Sequence, residues 1–149
     1  MGNRESMKRP HERLEVWRDA MDLVEAVYRF SGKFPDSERF GLTSQIRRAA
    51  VSIPSNIAEG AARRSRPEYL RFLSIARGSL SEMDTPHQIA CRLGYAEPCA
   101  IMVELIERSF AKLTALMNSL SNPTNAKDRN ARSSDSPFPI PDSRPSHAR

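Results

Sequence analysis

The sequence is poor in the residues that build disulfide scaffolds, phosphate loops and membrane spans. It has two cysteines and six glycines among 149 residues. Two cysteines cannot form a disulfide framework, so a reducing cytoplasm is the expected compartment. The glycines show no phosphate-loop spacing, which argues against a nucleotide-binding loop. No run approaches the roughly 18 apolar residues of a membrane span, and no apolar segment marks a secretory signal, so we expect no membrane association.

The charge that is present is distributed unevenly. The formal net charge is +5. Residues 39–81 hold eight arginines and two acidic residues, a net charge of +6, whereas residues 82–107 hold five acidic residues and one arginine, a net charge of −4. The basic stretch is where contact with phosphates is expected, and the acidic stretch is a potential partner for it in self-association.

The two ends of the chain differ from its middle in composition. Five prolines lie after residue 121, among Ser, Asn, Asp and Arg. Such a segment cannot bury enough apolar surface to offset a backbone ordering cost of about 1–2 kcal/mol per residue. We predict a flexible N-terminus over residues 1–13, a helical bundle over 14–120 and a disordered Pro/Ser-rich tail over 121–149. The alternative for Pro137–Pro141, which alternates proline with Phe and Ile, is a short extended docking peptide.

Apolar residues at steps of three and four predict four helices. The first, Leu14–Ser31, carries two adjacent apolar rows: Leu14, Trp17, Met21, Val24 and Tyr28, then Val16, Ala20, Leu23, Val27 and Phe30. The second is predicted from about Ser37 or Phe40 to Glu59, with Gly60 as a left-handed stop. The third follows a capping-box spacing at Ser65 and Glu68, and the fourth opens near Pro98 and runs to Leu120.

Two prolines fall inside the predicted helices. Pro54 should crowd the carbonyl of Ala50 and kink the second helix, at a local cost on the order of 3 kcal/mol; a break into two helices is the alternative. Pro86 is expected to kink or locally loosen the third helix. With short loops and no strand signal, the pattern predicts an all-α fold, an antiparallel up-down four-helix bundle with a kinked second helix.

The stretch FGLTSQIRRAAVSIPSNIAEG at Phe40–Gly60 resembles the signature of the bacterial four-helix-bundle family of 23S rRNA intervening-sequence proteins. LEVW at Leu14–Trp17, SRPEYLRFLSIARGSLS at Ser65–Ser81 and RLGY at Arg92–Tyr95 are similar to other parts of that family's pattern. The resemblance implies a homopentameric ring of up-down bundles. The related accessory proteins of diversity-generating retroelements bind nucleic acid and a reverse transcriptase through basic surface. The resemblance therefore also implies that RNA is a candidate partner. It implies no reaction, and Pro86 departs from the uninterrupted third helix of the family.

Arginines are the candidate binding residues, because each guanidinium offers a planar fork for two phosphate oxygens. The predicted nucleic-acid-binding residues are Arg47, Arg48, Arg63, Arg64, Arg66 and Arg71, with Arg77 as a further candidate. The alternative is that they are solvated charges paired with Glu59, Glu68 or acidic residues of a neighbouring subunit, and then serve assembly. No aromatic residue is interleaved with them as a stacking platform, so sequence-specific reading of RNA is not expected.

Other polar residues suggest structure more than chemistry. Asn56 and Glu59 lie three apart beside Pro54, which predicts a hydrogen-bonded brace across the kink; a polar binding site is the alternative. Cys91 and Cys99 are expected to be packing residues.

A catalytic or metal site is not expected. His11, His87 and His147 are too scattered for a triad or a metal set, so we predict no metal, no cofactor and no enzymatic activity. Trp17 and four methionines are expected in the core: Met21, Met83, Met102 and Met117. We predict a cytoplasmic, non-enzymatic, homo-oligomeric bundle that binds RNA or a ribonucleoprotein through an arginine-rich surface. The alternative is a purely structural or protein–protein interaction module without a nucleic-acid role.

Overall fold

A computed structural model describes residues 9–122. Four helices make up most of this range: α1 (Glu15–Ser31), α2 (Leu42–Ala61), α3 (Arg66–Arg92) and α4 (Ala100–Ser121). No strand occurs between residues 9 and 122. The all-α, four-helix prediction is therefore confirmed. The predicted tail lies outside the described residues from position 123 onwards, as do residues 1–8 of the predicted flexible N-terminus.

Each helix packs against its neighbours in the chain, and α1 also packs against α4, so the four helices enclose one core. Tyr28, near the end of α1, meets Arg47, near the start of α2, and Asp19, near the start of α1, meets Arg108 in α4. The antiparallel order of the helices stays a prediction. The fully buried large side chains come from all four helices: Leu23, Val27, Ile46, Ile53, Ile57, Leu73, Leu80, Met83, Met102 and Leu113.

The N-terminal segment is described from residue 9. Pro10–Arg13 forms a short 3₁₀ helix that contacts α1 and α2. His11 packs edge-on against Trp17, with ring centroids 5.0 Å apart. The last residues of the segment predicted to be flexible are therefore packed on the bundle.

Of the two apolar rows of α1, one forms the core and the other its edge. Val16, Ala20, Leu23, Val27 and Phe30 are all buried. Met21 and Tyr28 of the other row are 45% and 44% exposed. The prediction that Met21 is a core residue is wrong, because the apolar stripe is wider than the surface that the neighbouring helices cover.

Both prolines lie inside helices that continue past them. Pro54 is buried within α2, and Pro86 is buried within α3, which runs on to Arg92. The kink or local loosening expected at Pro86 stays a prediction. Hydroxyls one residue before Pro86 and one after Pro54 bond to backbone carbonyls: Thr85 Oγ1 donates to Ser81 O at 3.1 Å and Ser55 Oγ to Val51 O at 2.7 Å. The kink at Pro54 stays a prediction.

Gly60 has a different role from the one the sequence suggests. It lies within α2, and the only glycine with positive φ among the described residues is Gly94. A Cβ built on Gly60 would lie 2.9 Å from Phe72 Cβ and 3.0 Å from Tyr69 Cδ2. The predicted left-handed stop is wrong: glycine at this position allows α3 to pack closely against α2.

Candidate nucleic-acid interface

The turn between α2 and α3 presents three of the predicted arginines to solvent. α2 ends at Ala61 and α3 begins at Arg66, which places Arg63 and Arg64 on the connection itself. Ser65 caps α3, since its Oγ accepts a hydrogen bond from the Glu68 backbone N at 3.3 Å. All three arginines of the turn are exposed.

Phe72 brings a fourth arginine to this turn. The guanidinium carbons of Arg63 and Arg71 lie 5.0 Å and 4.6 Å from the centre of the Phe72 ring. Arg63 also pairs with Glu59, and Arg71 pairs with Glu68 at 3.4 Å. The four side chains of these pairs are 43–58% exposed. Exposed ion pairs of this kind contribute about 0–1 kcal/mol, so both arginines remain available to a stronger anion. Arg63, Arg64, Arg66 and Arg71 are called the turn cluster below.

A second arginine set lies at the other end of α2, in a groove between α1 and the start of α2. The groove has a volume of about 520 Å³. It is lined by Tyr28, Arg39, Phe40, Thr43, Ser44, Arg47, Arg48 and Val51, and no acidic side chain lines it. We call it the arginine–aromatic groove.

Arg47 is fixed within this groove by α1. Its Nε donates to Ser31 Oγ at 2.8 Å, one terminal nitrogen donates to Tyr28 O at 3.3 Å, and its guanidinium carbon lies 4.6 Å from the Tyr28 ring centre. A cation at the last turn of α1 also compensates the negative end of that helix dipole. Arg47 therefore joins α1 to α2, in addition to adding positive charge to the groove.

Phe40, Arg39 and Arg48 form the outer part of the groove. Phe40 is 89% exposed, and the Arg39 guanidinium lies 5.5 Å from its ring centre. Neither Arg39 nor Arg48 forms an ion pair with any residue that the structure describes. The nearest acidic residue in sequence, Glu38, has a different partner: its Oε2 accepts from Leu42 N at 2.8 Å and caps the start of α2.

The six predicted arginines are thus divided between two places. Arg48 and Arg63 are separated by 15 positions, about 22 Å along a helix at 1.5 Å per residue. Aromatic rings lie beside three of these arginines: Phe72 contacts Arg63 and Arg71, and Tyr28 contacts Arg47. Arg77 belongs to neither set; one of its terminal nitrogens lies 3.5 Å from Thr114 Oγ1 of α4.

Asn56 and Glu59 are not brought together. Asn56 Nδ2 donates to Ser52 O at 2.8 Å and to Ser52 Oγ at 2.9 Å. Ser52 Oγ is also 2.9 Å from Ser79 Oγ of α3. Asn56 therefore belongs to a polar link between α2 and α3, whereas Glu59 pairs with Arg63.

A buried carboxylate that sequence reasoning missed joins α1 to α4. Asp19 is 7% exposed and accepts hydrogen bonds from Arg108 at 3.0 and 2.9 Å and from Lys112 at 2.7 Å. Burial raises the pKa of Asp19, but the hydrogen bonds from the two cations outweigh it, so the pKa lies below the usual value. The i, i+4 spacing of Arg108 and Lys112, matched by Glu15 and Asp19, was the available signal.

The described residues do not assemble a metal or thiol site. No group of three or more His, Cys, Asp or Glu in residues 9–122 is placed to hold a metal ion. His87 is buried, with Nδ1 3.2 Å from Asp84 Oδ1, and its Nε2 has no hydrogen-bond partner within the described range. Burial, followed by the nearby Glu97 carboxylate, raises the pKa of the Cys91 thiol, which reduces its reactivity.

No helix in residues 9–122 is long and apolar enough to cross a membrane. A search of curated proteins found no match to this chain. The family described as 23S rRNA-intervening sequence protein matches residues 12–119, which span all four helices. The chain therefore belongs to the 23S rRNA-intervening sequence protein family.

Proposed function

We propose that this protein is a non-enzymatic, homo-oligomeric helical bundle that binds RNA, alone or within a ribonucleoprotein, through its arginine-rich surface. The observation that supports this most is the turn cluster: Arg63, Arg64 and Arg66 are exposed within four positions of one turn. Arg71 joins them across Phe72. Four guanidinium groups on one end of the bundle suit a run of phosphates, each of which accepts two N–H groups from one fork.

The acidic neighbours of the turn cluster do not neutralise it. Glu59 and Glu68 pair with two of the four arginines, and Arg64 and Arg66 have no ion-pair partner among the described residues. Arginines that bind RNA phosphates release the counterions condensed on them. This release provides affinity that the exposed ion pairs with Glu59 and Glu68 cannot match. The expected binding is therefore electrostatic, tolerant of sequence and strongly weakened by salt.

Self-association is the second part of the proposal. The −4 stretch, residues 82–107, includes Leu93 and Ile101, which are 57% and 66% exposed. Apolar side chains among acidic residues suit contact with the +6 stretch of a second copy, in a ring where each subunit offers two different patches. We further propose that the ring has five subunits and that the protein is cytoplasmic. The alternative function, an interaction module without a nucleic-acid role, would use the same patches for assembly alone.

Filter binding of a short RNA at two salt concentrations tests the RNA role. The variant Arg63→Glu/Arg64→Glu/Arg66→Glu should lose most RNA retention. The matched control, Arg18→Glu/Arg29→Glu/Lys33→Glu, reverses three exposed cations outside both arginine sets and outside residues 82–107, and it changes the net charge equally. If the three turn arginines contact phosphates, the slope of log K against log salt should fall by about 2 in magnitude for single-stranded RNA.

Two results would contradict the proposal. Unchanged retention in the turn variant would exclude the turn cluster as an RNA surface. If the turn variant instead passes from oligomer to monomer on size-exclusion chromatography while the control does not, those arginines serve assembly, and the interaction module is the better account.

A further inference from the structure

The arginine–aromatic groove has a composition that the turn cluster lacks: an open aromatic ring among cations. Phe40 is 89% exposed, the most exposed large hydrophobic residue within residues 9–122. Burying a phenylalanine ring is favourable, so a partner that covers the ring gains free energy. A single exposed aromatic residue is ordinary on a protein surface, but this ring lies in a groove lined by three arginines, and that combination is a candidate ligand surface.

The charge of the groove selects the class of ligand. Three arginines line it without an acidic side chain, and Glu38 is engaged in capping α2. A cationic or neutral apolar ligand would leave these arginines uncompensated. An anion with a flat aromatic portion satisfies both the guanidinium groups and the open ring, and a nucleotide has both parts.

The geometry distinguishes single-stranded from double-stranded nucleic acid. A duplex keeps its bases stacked on one another and offers mainly phosphates and sugars to a protein. Phe40 lines the groove and is largely exposed, and its ring can receive only a base that has left its stack. The groove volume of about 520 Å³ lies within the range of small-ligand sites.

We propose that the arginine–aromatic groove binds an unstacked base of single-stranded RNA on Phe40, while Arg39 and Arg48 bind the flanking phosphates. This rests on the proposed RNA function and names the form of RNA that the protein takes. Arg47 is a positioning residue here, because its hydrogen bonds to Ser31 and Tyr28 fix it against α1. The hydroxyls of Thr43 and Ser44 line the same groove and can donate to phosphate or ribose.

The test compares one short RNA, single-stranded and annealed to its complement, on the full chain at constant salt. Phe40→Leu keeps an apolar side chain and removes the aromatic face. Because stacking on an aromatic residue is worth about 1–3 kcal/mol per base, affinity for the single strand should fall roughly 5- to 150-fold. Affinity for the duplex should be unchanged. Met21→Leu, at an exposed apolar residue outside both arginine sets and outside residues 82–107, is the control and should bind both RNAs like the wild type.

A photochemical measurement locates the contact independently. RNA that contains 4-thiouridine, irradiated on the wild-type protein, should cross-link to the tryptic peptide Phe40–Arg47. The yield should fall in Phe40→Leu. Cross-links confined to the turn cluster would overturn the groove assignment.

The outcomes separate this inference from the proposed function. If the wild type retains no RNA, both fail. If it retains RNA and Phe40→Leu binds the single strand as well as before, or loses both RNAs equally, only the groove inference fails. If Phe40→Leu disperses the oligomer on size-exclusion chromatography, the groove is a subunit interface, which also overturns the inference.

Discussion

Arg108 of α4 donates two hydrogen bonds to the carboxylate of Asp19 of α1, at 3.0 and 2.9 Å. The two residues are 89 positions apart in the chain, and Lys112 adds a third donor to the same carboxylate. The contact joins α1 to α4, a pair of packed helices that no loop connects directly.

Asp19→Asn tests how much this contact contributes to stability. The amide would present donors to Lys112 and Arg108, which are themselves donors, so we expect a loss of about 1–3 kcal/mol in unfolding free energy at neutral pH. The loss of stability stays below that for a fully buried pair, because Arg108 is 42% exposed and its guanidinium regains water. Urea unfolding at pH 7 measures it. Glu25→Gln, which breaks the exposed Glu25–Arg29 pair, is the control and should cost at most about 0.5 kcal/mol.

The same carboxylate should make the protein acid-sensitive. The pKa of Asp19 is lowered in the folded state, so the unfolded state binds its proton first as the pH falls. The stabilisation is therefore complete above the ordinary aspartate pKa of about 3.9 and is lost as the pH falls through the lower folded-state value. Unfolding midpoints between pH 6 and about pH 3 should fall more steeply in the wild type than in Asp19→Asn. Parallel curves would show that Asp19 does not titrate as the contacts indicate.

The helices were predictable from sequence, but the cross-helix contacts were not. The steps of three and four in α1 identify the helix and both of its apolar rows, yet only packing decides that Val16 and Ala20 are buried while Met21 is exposed. The Asp19 site joins helices from opposite ends of the chain, so the i, i+4 charge spacing on each helix cannot show by itself that the two helices meet.

The arginine predictions show the same limit. Sequence identifies Arg47 and Arg48 as adjacent arginines of the second helix, but it cannot show that Arg47 bonds to the end of α1. The sequence shows Phe40 next to Arg39. The role proposed for Phe40 depends on Tyr28 and Arg48, which line the same groove only in the folded protein.

Arg47 and Arg48 should therefore respond differently to truncation. Arg47→Ala removes two hydrogen bonds and a cation–π contact between α1 and α2, and we expect a loss of about 1–2 kcal/mol in stability. Arg48→Ala, on the exposed side, should change stability by less than about 0.5 kcal/mol. Thermal and urea unfolding of both variants measure the difference. Equal losses would mean that Arg47 does not tie the helices.

Two buried serines provide a matched pair. Ser109 is 0% exposed, and its Oγ has no hydrogen-bond partner within residues 9–122, whereas the buried Ser79 bonds to Ser52 at 2.9 Å. Ser109→Ala removes an unsatisfied hydroxyl and should raise the unfolding free energy by about 0.5–1 kcal/mol. Ser79→Ala should lower it by a similar amount. A loss of stability in Ser109→Ala would show that this hydroxyl has a partner.

Gly60 and Gly78 give the sharpest test of how α2 and α3 pack. A Cβ at Gly60 would lie 2.9 Å from Phe72 Cβ, a contact that only a shift of the α3 backbone can relieve, whereas a Cβ at Gly78 would meet nothing within 4 Å. Gly60→Ala should therefore destabilise the fold by about 1–3 kcal/mol through overpacking. Gly78→Ala should stabilise it by about 0.5–1 kcal/mol, since alanine loses less backbone entropy on entering a helix. Chemical unfolding of the two variants compares an identical change in covalent structure at two packing environments. If both substitutions stabilise the protein, the close approach of α3 to α2 at Gly60 is not present in solution.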